Sequence, residues 1–239
     1  MSFYGLTTVI KHFGTGIILA TAFVHMLPSA FTSLLCVNSL SDYDAWPGVI
    51  TMNSAVFIFF IEYAAVNYNL EVIGGSTLLS SDAQIIGIII LEIGICFHSV
   101  IIGMALSVST GSNFISLWVA LVFHQIFEGL GLGSRIAELN YPENSIKPWL
   151  MSCAYGLTTP IGIAMGLGVH ESYNPASQTA LIVQGTLDSL SAGILIYSAL
   201  VELMANDFIY DPQFRKSPKI KQLGAFICLL FGISFMALI

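Results

Sequence analysis

The feature that most constrains this chain is a series of long apolar runs almost free of charge. A helix needs about 20 apolar residues to cross the hydrocarbon core of a bilayer. Seven stretches reach or approach that length: Gly14–Leu35, Gly48–Val66, Ala83–Ser107, Phe114–Ile136, Pro148–Val169, Ala176–Ala205 and Leu223–Ile239. Their apolar residues are continuous rather than alternating, which excludes a membrane β-barrel. The expected architecture is all-α, a polytopic transmembrane helix bundle of about seven spans forming one domain over residues 1–239.

Composition supports lipid as the solvent. Apolar residues make up 56% of the chain and charged ones 9%, against about 25% charged in a soluble domain, which needs them to cover its surface. Soluble, disordered and disulfide-scaffold classes fail on these numbers. Seven Lys and Arg against fourteen Asp and Glu leave no basic face for phosphates, so no nucleic-acid partner is expected. Cys36, Cys96, Cys153 and Cys228 are too widely spaced for a zinc ribbon or a disulfide framework and are expected as buried thiols. No basic segment precedes the first apolar run, so a cleaved signal peptide is not expected.

Short polar turns separate the runs at Asn38–Asp44, Ser109–Asn113 and His170–Pro175, with longer loops at Ala137–Lys147 and Asn206–Lys221. Asn67–Asp82 is also expected as a loop, although Leu70, Val72 and Ile73 soften its edges. Basic residues collect on the cytoplasmic side of membrane proteins. Lys11, Arg135, Lys147, Arg215, Lys216, Lys219 and Lys221 all fall on one side when the loops are counted alternately. That places the N-terminal end in the cytoplasm and the C-terminal end outside. Glycines at helical spacing, among them Gly103, Gly129, Gly133, Gly162 and Gly166, are expected at close helix contacts. Pro160 is expected to break or kink the fifth span.

An ionisable group at bilayer depth costs several kcal/mol and points to function. His25, Glu62, Glu92, His98, His124, Glu128, Asp188 and Glu202 lie inside the runs, with no Lys or Arg among them. Acids and imidazoles with no built-in counter-charge imply a visiting cation. His98 lies about 11 residues before the outer turn and His124 about 11 after it, which puts both roughly 16 Å deep, near the midplane, on antiparallel neighbours. Glu128 is one turn deeper than His124 on the same face, and His25 and Asp188 come out at similar depth. Two imidazoles and a carboxylate suit Zn²⁺ and admit Fe²⁺ or Mn²⁺. Gln125 or His25 is the expected fourth ligand, with water as the alternative. An incomplete set is what a carrier needs, since a closed one would not release its ion. Ser99, Asp188, Glu92, Glu62 and Ser191 are the expected lining of the route, and Glu202 is expected near the inner interface.

These residues carry a family resemblance. His98-Ser99-Val100-Ile101-Ile102-Gly103 followed by His124-Gln125-Ile126-Phe127-Glu128-Gly129 resembles the paired signature of the ZIP (Zrt-/Irt-like) divalent-metal transporters. Phe13 through Pro28 resembles the family's second helix. Tyr155 through Gly162, and Asp188-Ser189-Leu190-Ser191-Ala192-Gly193 through Glu202, resemble its sixth and seventh. The match is nearest the fungal and plant plasma-membrane branch. It implies that His98, His124 and Glu128 are the core ligands, that Gln125 and Ser99 line the site, and that His25 contributes from the second helix. It also implies import into the cytosol by alternating access, one helix bundle sliding against another, with the metal as cargo rather than cofactor. A homodimer is the candidate assembly.

The family has eight helices, and this chain corresponds to helices two to eight, as a truncated gene model or fragment would. Residues 67–82 stand where the family carries a long His-rich cytosolic loop and contain no histidine. Ser29 replaces a carboxylate common after the Leu-Pro of helix two. Ser99 and Ile102 replace groups that bridge a second metal in some members, so one ion is expected. The rival readings are an intramembrane zinc-dependent lipid hydrolase, which needs three closed ligands and an activated water, and a structural membrane protein. The absence of an HExxH motif and the further acids at Asp188 and Glu92 weigh against the hydrolase, and unpaired acids in lipid weigh against the structural reading.

Overall fold

A computed structural model describes residues 3–37, 42–73, 78–139, 141, 144–168 and 177–239. The described residues contain no strand. Helix α1 (Phe3–Ala20) passes through a π-helical stretch, Thr21–Met26, into α2 (Leu27–Leu35). Then follow α3 (Trp46–Ile73), α4 (Leu78–Val108), α5 (Gly111–Glu138) and α6 (Lys147–Gly168). Helix α7 (Gln178–Tyr197) continues as a second π-helical stretch, Ser198–Tyr210, before the short α8 (Pro212–Lys216) and the final α9 (Lys219–Leu238).

Seven stretches of the described residues are long and apolar enough to cross a membrane, from Thr8–Leu35 to Lys219–Leu238. They coincide with the seven apolar runs, because in lipid only a helix satisfies its own backbone groups. Four boundaries differ from expectation. The first span begins at Thr8 and takes in Lys11 and His12. The sixth continues past Ala205 through the π-helical stretch and α8 to Lys216. Residues 67–73 and 78–82, expected as loop, extend α3 and α4, while 74–77 lie outside the described residues. The expected turn at His170–Pro175, residues 38–41 of the Asn38–Asp44 turn, and residues 140, 142 and 143 of the Ala137–Lys147 loop are likewise outside them.

Packing centres on a cluster contributed by α1, α4, α5 and α7, including Ile18, Leu91, Ile95, Leu132 and Leu195. Glycine sets the tightest approaches. Gly103 lies against the Thr159 carbonyl and Gly162 against the Val100 carbonyl, joining α4 to α6; Gly14 meets Gly131, joining α1 to α5. Gly133 faces open space and joins nothing within 4 Å. Pro160 does not break α6, which runs unbroken from Lys147 to Gly168. Between α4 and α5, Gly111 adopts φ 62°, a left-handed conformation that glycine takes without strain and that lets the chain reverse in a short turn. All four cysteines are free; Cys36 and Cys153 are exposed and Cys96 and Cys228 half-buried, so the expectation of four buried thiols fails.

Candidate metal centre

Helices α4 and α5 carry the centre. Their antiparallel course about Gly111 brings His98 of α4 level with His124 of α5, with ring centroids 5.6 Å apart. Glu128 lies four residues on, one helical turn along the same face, and its carboxylate comes within 3.1 Å of His124 Nε2. One ligand atom from each of His98, His124 and Glu128 lies within 4.8 Å of the other two. Ligand atoms around one tetrahedral zinc, bonded at about 2.0–2.2 Å, stand roughly 3.3–3.6 Å apart, so small side-chain rotations close the set on one ion. All three residues are buried, Glu128 completely.

The hydrogen-bond accounting is least satisfied at the same place. Buried polar groups normally have partners. Both ring nitrogens of His98, Nε2 of His124, both oxygens of Glu128 and Oδ1 of Asp188 are buried here without a hydrogen bond. Such a concentration of acceptors and imidazole nitrogens fits a cation bonded to one nitrogen of each imidazole and to the Glu128 carboxylate.

The remaining expected residues surround this trio unequally. His25, on the π-helical stretch, stands with its ring centroid 5.3 Å from that of His124, and its Nε2 is 2.9 Å from the Met236 carbonyl of α9. A carbonyl only accepts, so Nε2 carries the proton and Nδ1 remains the nitrogen free to ligate. His25 thus adjoins the trio without belonging to the group of mutually close ligand atoms. Asp188 of α7 places Oδ1 3.6 Å from His98 Nδ1, while Ser29 donates to its other oxygen at 2.6 Å. Gln125 is adjacent but engaged, because its carbonyl accepts from Ser99 at 3.3 Å and its amide donates to Thr159. Tyr155 braces this turn of α5 by donating to the Gln125 main-chain carbonyl at 2.7 Å.

Glu92, Glu62 and Ser191 lie outside the trio. Glu92 and Ser191 are buried, each with an oxygen lacking a partner. Glu62 accepts from the Tyr197 hydroxyl. Glu202 fits beside Gly87, where a larger residue would collide with its carboxylate. Glu62 and Glu202 line a cavity of about 360 Å³ together with Lys11, Arg135, Glu138 and Asp207.

This last group was missed from the sequence. Arg135, assigned above to the inner end of a span, is 4% exposed and forks onto the Asp207 carboxylate at 2.7 and 3.2 Å. The interior therefore does hold a built-in cation, at one end of the bundle and away from the trio. The available signal was spacing: Arg135 is seven residues beyond Glu128, on the same face of α5.

Membrane-crossing helices whose interior gathers imidazoles and a carboxylate, with no Lys or Arg beside them, on two facing helices define an integral membrane protein built to admit a transition-metal cation. A family model described as ZIP Zinc transporter matches residues 75–239. Zinc-regulated transporter 1 of Saccharomyces cerevisiae is 36% identical over 96% of this chain and 76% of its own length. Zinc-regulated transporter 2 of the same yeast is 51% identical over 65% of this chain and 37% of its own length, and zinc transporter 3 of Arabidopsis thaliana is 39% identical over 97% and 73%. The chain belongs to the ZIP family of zinc transporters. No solved structure matches it.

Proposed function

We propose that this protein carries divalent transition-metal ions, zinc foremost, across the plasma membrane into the cytosol by alternating access. The observation that carries the reading is the set of buried, mutually close ligand atoms on His98, His124 and Glu128. Two neutral imidazoles and one carboxylate form a borderline-soft set for Zn²⁺ that also accepts Fe²⁺ or Mn²⁺. Three protein ligands leave a coordination position open, and an open site can release its ion.

In this reading His98, His124 and Glu128 hold the ion, and His25 meets it from the Thr21–Met26 stretch through Nδ1. Asp188 and Ser29 stand on one side of the trio, with Ser191 on the same α7. Ser99 and Gln125, already bonded to each other, line the site rather than ligate. Glu92, Glu62 and Glu202 supply carboxylates on the way to the 360 Å³ cavity, which opens at the lysine-bearing, cytosolic end. Family membership speaks for a carrier, and nothing supports the lipid hydrolase.

The test is zinc accumulation by cells that lack their own high-affinity uptake and express this chain. Zinc entry should saturate and should be lost in His98→Ala and Glu128→Ala at unchanged membrane abundance. Undiminished uptake by either variant refutes the site, and no uptake by the unaltered chain refutes the carrier.

A further inference from the structure

We propose that Arg135 is a positioning residue, the centre of an ionic latch that sets the register of α5, and with it the cargo ligands, against α1 and the Ser198–Tyr210 stretch. The inference rests on the transport reading above. Arg135 Nη2 lies 2.7 Å from Asp207 Oδ2 and also bonds Thr15 of α1. Lys11 of α1 reaches Asp207 Oδ1 and Glu138 Oε1, each at 2.9 Å. Glu138 closes the ring on α5, 3.5 Å from Arg135 Nη1. Two cations and two carboxylates from three elements thus form a formally neutral network. His12 Nδ1 is 3.8 Å from Asp207 at its margin.

Stability alone does not account for such a network, since well-packed apolar residues of similar volume commonly hold a protein as well as a buried ion pair does. What a planar guanidinium fork adds is direction: it tolerates one register and penalises its neighbours. The surface it pins is flat where the two helices come closest. His124, Glu128, Gly131 and Arg135 follow at spacings of four, three and four along one face of α5, and Gly131 meets Gly14 of α1 backbone to backbone. Glycine against glycine offers no interlocking side chains at that point, and the flanking contacts, Phe13 against Phe127 and Ile18 and Leu132 in the shared core, are apolar and non-directional. The latch supplies the stop, two turns from the cargo ligands.

It is also placed to open. Arg135 and Asp207 are buried, whereas Glu138 and Lys11 expose 44% and 22% of their side chains and border the cavity beside Glu62 and Glu202. Water entering there can take over the outer pair first and then the fork. A slide of α5 by one helical turn, about 5.4 Å, parts Arg135 from Asp207 and Thr15 and Glu138 from Lys11 at once, while the Arg135–Glu138 pair travels with α5. The latch is therefore made in one state of the cycle and broken in the other, while His98, His124 and Glu128 ride together on α4 and α5.

The test removes both buried charges together, so that neither is stranded: Arg135→Gln with Asp207→Asn. Two measurements are made, zinc uptake per transporter at the membrane and, on purified metal-free protein, backbone hydrogen exchange of residues 131–138. The double variant should keep KM within twofold and lose at least fivefold of maximal rate, with exchange at the inner turns of α5 at least tenfold faster. Arg135→Lys, which keeps the charge but not the fork, should fall between the two. Unchanged maximal rate per transporter overturns the latch even where less protein reaches the membrane, because a merely structural role lowers abundance and spares turnover. Unchanged exchange also overturns it. Faster exchange in the variant, with no uptake by the unaltered chain, leaves the clamp on α5 standing and overturns the transport reading instead.

Discussion

The contact between Gly14 and Gly131 sets a graded test of how closely α5 must lie on α1. A methyl group added at Gly133 meets nothing within 4 Å. One added at Gly131 comes to 3.1 Å from Gly14 Cα and 3.2 Å from its carbonyl oxygen, so the helices must part by a few tenths of an ångström. One added at Gly14 overlaps Gly131 Cα, and regaining ordinary carbon contact at roughly 3.5–4.0 Å means a displacement of about 1 Å. Replacing glycine by alanine within a helix gains about 1 kcal/mol from propensity, and overpacking costs about 1–3 kcal/mol. Gly133→Ala should therefore be neutral or stabilising by up to about 1 kcal/mol, Gly131→Ala close to neutral, and Gly14→Ala destabilising by about 1–2 kcal/mol. Function should fall more steeply, since a misplacement of about 1 Å can cost on the order of 100-fold where geometry matters and the displaced face bears His124, Glu128 and Arg135. Thermal unfolding in detergent and zinc uptake per transporter measure the two effects. Equal stability and equal uptake for Gly14→Ala and Gly133→Ala would refute the close packing of α1 on α5.

Three further outcomes follow from the site. Glu128→Gln keeps the shape of the side chain but removes its charge, and zinc affinity in purified protein should fall by more than about 100-fold, because even partners behind a metal ligand are worth about 10–100-fold; titration calorimetry reads this directly. His25→Ala should weaken affinity by about tenfold or less, because His25 lies beside the trio rather than within it, and a loss as large as that of Glu128→Gln would contradict this. Lys216→Ala with Lys219→Ala should leave zinc affinity within about twofold, since both lysines are exposed and exposed charges contribute little locally; a large loss would contradict the placement of the centre.

The spans and the trio were legible in the sequence because both depend on local rules. A run of 20 apolar residues has no alternative to a helix in lipid, and depth along a helix follows from counting at 1.5 Å per residue. Counting puts His98 and His124 at one level and Glu128 one turn deeper on the same face, and it is these residues whose ligand atoms converge. The departures arise where a neighbour decides. Pro160 leaves its helix unbroken, with the Thr158 hydroxyl bonding the Tyr155 carbonyl at 2.6 Å one turn earlier. The π-helical stretches around His25 and Glu202 leave no mark in hydrophobic periodicity, although such stretches recur at functional sites. Gln125, a fourth ligand by sequence, is claimed by Ser99 and Thr159, a competition visible only once α6 is in place.

Arg135 shows how a sound rule can hide a partner. Basic residues near span ends mark the cytoplasmic side, and counting loops places all seven on one side, so the sequence presents Arg135 and Lys11 as topological signals and nothing more. A residue at the end of one span is nevertheless inside the bundle when neighbouring helices extend past it, as α1 and the Ser198–Tyr210 stretch do here. Asp207 then supplies the carboxylate that makes burial of Arg135 tolerable, since a buried charge survives only when paired and hydrogen-bonded. The interior is therefore divided by charge. Toward the lysine-bearing end, Asp207 and Glu138 meet fixed cations, and these charges balance within the protein. At the trio, imidazoles and Glu128 have only each other and nearby Asp188, and the account closes only when a cation arrives.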